Sequence, residues 1–382
     1  MSPEEIELLS QLTVVIPTCN RPLELERAIE YWRDTPVIVH ILDGSDKPWF
    51  PVGLLSEIRT ISYHHIPSTL GESWLDNYVR RLKFGADYSK TKYSALCGDD
   101  DFFSMSGLSA LVRLLECDSG IDAAVGQTLG FYPHKSLVKW WLRYGVASVD
   151  NLLSRDPDAL VRLKHSQSRL YYCVGRTELW KKRIQIAERH TWLGNRFETL
   201  FQDLGTAIFR ARTINHIVWF RFKTVIHPHE ATHVYMREWA SRQENNLEVL
   251  SYSDILTEVV LDVTPGLDRQ KVEKETLKFV MSHPESRGKL PRLKTLKIVV
   301  LTKLFSRLDE NIINNLPTIF RKIAMRYHIP AKIAAAIGPK RVLDEFLPSL
   351  LKSGISFDLD ELKSLEKLWL KPREELRLRA NI

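Results

Sequence analysis

A short apolar run that ends in a glycine and three consecutive aspartates constrains this chain more than any other stretch of its sequence. The run covers residues 93–97, and Gly98, Asp99, Asp100 and Asp101 follow it directly. Such a run is typical of a strand buried on both faces, and Gly98 allows the chain to turn at its end. Adjacent carboxylates repel one another, and a divalent cation is their usual counter-charge. The stretch predicts a ligand site at the end of a buried strand, with a solvated acidic turn as the alternative.

Predicted strands and helices alternate through the first part of the chain. The apolar runs that indicate strands lie at residues 12–17, 37–42, 58–63, 93–97 and 123–126. Helical patterns separate several of these runs, including one at 107–117 that follows the three aspartates. Strands that alternate with helices favour a parallel sheet with right-handed crossovers, so we predict an α/β fold.

Composition and charge limit the partners of the chain. A net charge of +7 over 382 residues suits an anionic partner such as a nucleotide, a phosphorylated lipid or a membrane face. The basic residues are spread out and form no nucleic-acid motif, so we expect no nucleic-acid partner. The four cysteines form no CxxC pair, and neither a leader nor an apolar run long enough to span a bilayer is visible. These features predict a cytoplasmic protein, with the inner face of the membrane as a second location.

Three short motifs follow one another in an order that resembles the nucleotide-sugar glycosyltransferases of the GT-A fold, family 2 in particular. They are VVIPTCNR at residues 14–21, LDGS at residues 42–45 and DDD at residues 99–101. The resemblance runs from residue 12 to about residue 233. It implies a GT-A domain with a Rossmann-like, mostly parallel sheet at residues 1–234, and an enzyme of polysaccharide biosynthesis.

The resemblance also implies roles for residues on the donor side. The implied nucleotide-sugar-binding residues are Pro17, Thr18, Asn20, Arg21, Asp43, Asp99 and Asp100. Asp101 and His229 are the implied ligands of Mn²⁺ or Mg²⁺. Two registers of the acidic motif stay open, because Gly98 stands where the family's first acid would be if Asp101 is aligned with the last one. If Asp99 and Asp101 form the DxD pair instead, no acid is missing.

Four residues are implied on the acceptor side. Asp203 stands where family 2 keeps the second acid of a pair, the catalytic base, although Gln202 replaces the first acid. Glu198 competes with Asp203 from about one helical turn upstream. Arg176 follows a strand and a glycine turn that resemble the segment before the family's acceptor motif. Trp140 lies in an aromatic and basic segment that predicts either an acceptor or membrane contact or a helix that packs its tryptophans into the core.

The sequence character changes after residue 234. We predict a helical C-terminal domain at residues 235–382, with helices at 317–325, 331–337, 341–351 and 359–368. The basic, apolar segment 290–308 has two interpretations. It is either a peripheral membrane contact or a helix whose apolar face lies in the domain core.

Three functions are consistent with these patterns. The first is an inverting, metal-assisted glycosyltransferase that passes a sugar from a nucleotide-sugar to a hydroxyl of a glycan or lipid-linked acceptor, with Asp203 as general base. The second is a sugar-phosphate nucleotidyltransferase, but the GxGxR loop typical of that class is absent after the first strand. The third is a non-catalytic GT-A-like module that binds a membrane or a protein through its helical tail.

Overall fold

The computed structural model describes residues 1–48, 58–134, 137–143, 152–164, 170–222, 246–281 and 342–371. Its strands form one sheet in the order β3-β2-β1-β4-β8-β6-β9-β5, with β7 beside β6. The strands are β1 (Leu12–Thr18), β2 (Ile38–Asp43), β3 (Ile61–His65), β4 (Tyr93–Leu96), β5 (Phe102–Phe103), β6 (Ala123–His134), β7 (Leu137–Arg143), β8 (Val174–Arg176) and β9 (Ala211–Phe222).

The first four strands run parallel to one another, as the sequence predicts. β1 pairs with β2 on one side and with β4 on the other, and β2 pairs with β3. β6 and β9 are also parallel, whereas β8 runs antiparallel between β4 and β6. The side chains of β1 and β4 are nearly all buried, because helices cover both faces of a parallel sheet. The predicted α/β fold with a mostly parallel sheet is confirmed.

Several helices begin at residues that suit the start of a helix. Pro22 is the first residue of its helix, and the Ser73 and Ser104 hydroxyls cap two others. The helices are α1 (Pro3–Ser10), α2 (Pro22–Trp32), α3 (Trp74–Tyr88), α4 (Met105–Cys117), α5 (Ala159–Lys164), α6 (Thr177–Glu188), α7 (Phe197–Ile208), α8 (Asn246–Val263), α9 (Arg269–Met281), α10 (Leu343–Lys352) and α11 (Leu359–Leu370). Short 3₁₀ segments lie at Leu152–Arg155, Leu170–Tyr172 and Thr191–Arg196.

The helices form three apolar clusters against the sheet. One face packs against α1, α2 and α4. The other face packs against α3, α6, α7, α8 and α9. A third cluster joins the β6–β7 hairpin to α10 and α11. Helices from the last third of the sequence therefore complete the core on one face of the sheet and at its hairpin end.

The aromatic segment around Trp140 is a strand and not the helix that one interpretation predicts. β6 and β7 form an antiparallel hairpin in which Phe131 faces Trp140, with ring centroids 5.5 Å apart. The Trp140 side chain is fully buried, and its indole N–H donates to Glu366 Oε1 of α11 at 2.6 Å. Its position is therefore that of a core residue beneath α11.

The helical C-terminal part is confirmed where the structure describes it. α10 and α11 match the helices predicted at 341–351 and 359–368. The predicted helices at 317–325 and 331–337 and the segment 290–308 lie outside the described residues, and so does the boundary at residues 234 and 235. The division into two domains stays a prediction. No described helix is both long enough and apolar enough to cross a bilayer. All four cysteines are free, with Cys97 and Cys173 buried and Cys19 and Cys117 exposed.

Candidate functional site

Three parallel strands end side by side at one edge of the sheet. Thr18 ends β1 and Asp43 ends β2, and the two residues are register partners. The three aspartates follow β4, which pairs with β1 on its other side. Chain order therefore reverses between β1 and β4, and open α/β sheets bind ligands in the crevice at such a point.

Arg21 links this edge to the acidic turn. Its Nη1 donates to Asp99 Oδ1 and its Nη2 to Asp100 Oδ2, both at 2.6 Å. The Thr18 hydroxyl donates to the other oxygen of Asp99 at 2.8 Å. The Arg21 side chain remains 40% exposed, whereas that of Asp99 is only 5% exposed. At the switch point, the buried Asp99 carboxylate thus forms an ion pair with the Arg21 guanidinium, which reaches solvent.

The loop after β1 holds Arg21 in this position. Asn20 has a φ of 55°, in the left-handed region that asparagine tolerates better than most residues. Its backbone N–H donates to the Ser45 hydroxyl at 2.7 Å, which ties the loop to the end of β2. Pro22 then starts α2, so Arg21 lies between a fixed turn and a helix. Pro17 lies on the same edge, beside Leu42.

Asp43 organises the end of β2. Its Oδ1 accepts hydrogen bonds from the backbone N–H and the hydroxyl of Ser45, and its Oδ2 accepts one from the Tyr63 hydroxyl at 2.5 Å. Arg81 of α3 is buried and donates to the backbone carbonyls of Thr18 and Leu42, which joins the ends of β1 and β2. Sequence reasoning missed Tyr63 and Arg81. The available signal for Arg81 was a charge on the apolar face of a helix.

Burial and charge have opposing effects on Asp99. Burial raises the pKa of its carboxyl from 3.8 to about 6, while the Arg21 charge opposes that rise. Asp101 faces a different partner, since its Oδ1 accepts the backbone N–H of Phe222 at 3.0 Å. Of the three acids, two therefore face the first loop and one secures the end of β9.

The acids have the oxygen ligands that Mg²⁺ and Mn²⁺ prefer, but they are not arranged as an open metal-ligand set. Arg21, Thr18 and the Phe222 amide contact their oxygens. Within the described ranges, no three His, Cys, Asp or Glu side chains are grouped to hold a cation. His229, the other implied ligand, lies outside the described residues. A cation at Asp99 or Asp100 would have to replace the Arg21 contacts, whereas Asp101 Oδ1 contacts a backbone N–H.

The two carboxylates predicted for the acceptor side lie in different environments. Asp203 is fully buried in the middle of α7, and its Oδ2 accepts the Tyr252 hydroxyl of α8 at 2.8 Å. Glu198 is the second residue of α7 and is exposed. Of the two carboxylates, only that of Glu198 is open to a ligand from solvent.

Three tyrosines lie between α7 and the acidic turn. The hydroxyls of Tyr78 and Tyr171 are 3.0 Å apart, and Tyr171 contacts the neighbouring ring of Tyr172. Burial raises the pKa of Tyr78 to about 12 and those of Tyr171 and Tyr172 well above 10, and the Glu198 charge adds to each rise. The Asp101 charge also raises the pKa of Tyr172. The charges of Asp101 and Glu198 therefore both raise the pKa of Tyr172.

Arg176 lies at the other edge of the sheet. It is the register partner of Tyr93, the first residue of β4, whereas the acids follow the last residue of that strand. Its guanidinium donates to the carbonyls of Leu115 and Ile121. Arg176 and the three acids therefore lie at opposite ends of β4.

Comparisons with solved structures return TarS from S. aureus. Its 1–349 fragment is 12% identical, with a TM-score of 0.44 over 96% of this chain and 91% of that one. The same fragment in complex with UDP-GlcNAc gives 12% identity and a TM-score of 0.41 over the same shares of the two chains. A longer TarS structure is 10% identical, with a TM-score of 0.42, and 94% of this chain matches 54% of it. No protein-family model and no curated protein matches the chain.

Proposed function

We propose that this protein is a GT-A-type glycosyltransferase that moves a sugar from a nucleotide-sugar donor to a hydroxyl group of a glycan or lipid-linked acceptor. One observation carries the proposal. Arg21, Thr18 and the acidic turn form a charged network at the switch point between β1 and β4, with Asp43 beside it. These residues belong to the sequence motifs that resemble family 2.

The donor side of the network suits a nucleoside diphosphate. Arg21 is half-exposed and still has N–H groups to offer, and a guanidinium binds phosphate oxygens in a fork-like geometry. Asp43 ends β2 and accepts the hydroxyl of Tyr63 of β3, and we place the nucleoside beside this pair. Ordered donors at this edge favour the charge that develops on the leaving diphosphate.

The reaction we propose is an inverting displacement at the anomeric carbon. The acceptor oxygen forms a bond to that carbon as the bond to the diphosphate oxygen breaks, and the nucleoside diphosphate leaves with the electron pair. The acceptor hydroxyl must lose its proton during the attack, and a carboxylate beside it can act as the general base. Mn²⁺ or Mg²⁺ at Asp101 and His229 would offset charge on the diphosphate.

Ligand-dependent thermal unfolding tests this proposal. The full chain is mixed with UDP-, GDP-, CMP- and dTDP-sugars, with and without Mn²⁺, and release of free sugar is measured in parallel. We expect one nucleotide class to raise Tm, because a ligand at a hundred times its Kd stabilises the folded state by about 2.7 kcal/mol. The matching nucleoside monophosphate, which lacks the second phosphate and the sugar, should give a smaller shift. No shift and no sugar release with any donor would contradict the proposal.

A further inference from the structure

We infer that Glu198, and not Asp203, takes the proton from the acceptor hydroxyl, an assignment that rests on the proposed function above. A general base must come within hydrogen-bond reach of the proton that it removes. The two carboxylates are on the same helix, but only one of them satisfies this requirement.

Asp203 lies where no acceptor reaches it. Its side chain is fully buried, and the surrounding positions of α7 are buried as well. α8 covers this face of α7, and Tyr252 of that helix donates to the carboxylate. An acceptor would have to displace α8 from the core to contact Asp203. The hydrogen bond instead explains how a polar group is tolerated there.

Glu198 lies at the exposed end of the same helix. It is in the first turn of α7, where the partial positive charge of the helix terminus stabilises an ionised carboxylate. The ionised form is the one that accepts a proton. Its position therefore combines access to solvent with the partial positive charge of a helix N-terminus.

Aromatic contacts connect α7, the helix that carries Glu198, to β9, the strand whose end contacts Asp101. From the acids, Asp101 contacts the Phe222 amide at the end of β9, and Trp219 of β9 packs on Tyr172 with ring centroids 4.2 Å apart. From the helix, Phe201 of α7 packs on Tyr171 at 5.2 Å, and Tyr171 and Tyr172 are adjacent. The two tyrosines therefore form a wall between α7, which carries Glu198, and β9, whose last residue contacts Asp101.

Arg183 fixes the geometry of this wall. It is fully buried and donates to the Phe201 carbonyl of α7 at 2.7 Å and to the Leu170 carbonyl at 2.9 Å. One guanidinium thus joins α7 to the Leu170–Tyr172 segment. Because both are held to the same group, the first turn of α7 keeps its position relative to the tyrosines.

The proton transfer is balanced without a further reactant. The acceptor O–H proton passes to a Glu198 oxygen as the acceptor oxygen bonds to the anomeric carbon. The electron pair of the breaking carbon–oxygen bond leaves with the nucleoside diphosphate, and Glu198 later returns its proton to solvent.

Kinetics of E198Q test the inference, with E178Q as the matched control. Glu178 is also the exposed second residue of a helix, α6, in its first turn. We expect E198Q to lower kcat by about 10²–10⁴-fold, the usual contribution of a general base. Its donor Kd and Tm should stay at the wild-type values, and E178Q should retain wild-type kcat. The shorter carboxylate of E198D should recover part of the lost rate.

Two outcomes would overturn the assignment. The first is an E198Q protein with kcat close to that of E178Q. The second is a D203N protein that keeps the wild-type Tm and donor Kd but loses turnover, which would return the role to Asp203. Failure of the wild type to transfer sugar from any donor it binds is a different result, because it would remove the proposed function itself.

Discussion

Asp99 and Asp203 are both buried carboxylates at positions that the sequence motifs single out, yet their partners differ in kind. Asp99 is 4% exposed and pairs with Arg21, a cation whose side chain reaches solvent. Asp203 is fully buried and accepts the hydroxyl of Tyr252, a neutral and equally buried partner. A ligand can rearrange the first pair from outside, but it cannot reach the second without opening the core.

The difference shows that burial of an acid does not by itself indicate a site. When a buried carboxylate is paired with a cation that reaches solvent, an incoming ligand can contact that cation and rearrange the ion pair. The hydrogen bond from the Tyr252 hydroxyl to Asp203 joins α7 to α8 within the core. Three predictions test the two halves of this comparison.

The largest expected effect is on the pH dependence of stability. The pKa of Asp99 is about 6 in the folded protein and near 3.8 when unfolded, so the folded state holds more protons between these values. Its contribution to stability therefore falls as pH rises from about 4 to 6. Burial lowers the pKa of His40 from 6.5 to about 4, and the adjacent His64 adds to this shift. The unfolded state then holds more protons, so this contribution rises with pH over nearly the same range.

Single variants should separate these opposing contributions, each on the order of 3 kcal/mol at full effect. The measurement is the free energy of unfolding by urea from pH 4 to 7. Relative to the wild type, D99N should gain stability as pH rises and H40F should lose it. Comparison with the wild type removes the contribution of other titrating groups. If the free energies of unfolding of D99N and the wild type differ by the same amount at every pH, the pKa of Asp99 is not raised in the folded protein.

A smaller loss is expected when the Asp203 hydroxyl donor is removed. Y252F leaves a buried carboxylate short of one hydrogen bond, which costs about 2 kcal/mol for a charged acceptor. Y31F is the matched control, because the Tyr31 hydroxyl donates to the neutral Phe103 carbonyl at 2.6 Å and its removal should cost about 1 kcal/mol. Urea unfolding measures both. Equal losses in the two variants would mean that the hydrogen bond to Asp203 is worth no more than one to a neutral carbonyl. Unchanged kcat in folded Y252F would agree with a structural role for Asp203.

The sequence was sufficient to predict the edge at which the donor-side residues meet. Thr18, Asp43 and Asp99 each follow or end an apolar run, and the carboxyl ends of parallel strands lie at the same edge of a sheet. The pairing of Arg21 with two of the acids was not predictable, because it depends on the left-handed backbone of Asn20 and its bond to Ser45. Local patterns carry no information on that contact.

The acceptor side was harder to predict because distant segments decide it. Asp203 is inaccessible because α8, some fifty residues further along the chain, covers it. Trp140 is a core residue because α11 packs on the β6–β7 hairpin from more than two hundred residues away. Helical spacing within residues 197–208 shows which positions share a face, but not which later helix covers that face.

The smallest expected effect concerns the ion pair itself. R21M removes the guanidinium and keeps an apolar stem of similar length, so Asp99 and Asp100 lose their shared partner. Because Arg21 is 40% exposed, water screens the pair, and we expect a loss of only about 1 kcal/mol in the free energy of unfolding. The pKa of Asp99 should rise further, since the Arg21 charge opposes its rise in the wild type.

Double-mutant cycles identify which acid Arg21 serves. The coupling of R21M with D99N should exceed that with D100N, because the Asp99 side chain is 5% exposed and the Asp100 side chain 24%. If the D100N cycle gave the larger coupling, the charge that Arg21 stabilises would lie on the exposed acid. Asp99 would then resemble Asp203, as a buried group whose charge is not available to a ligand.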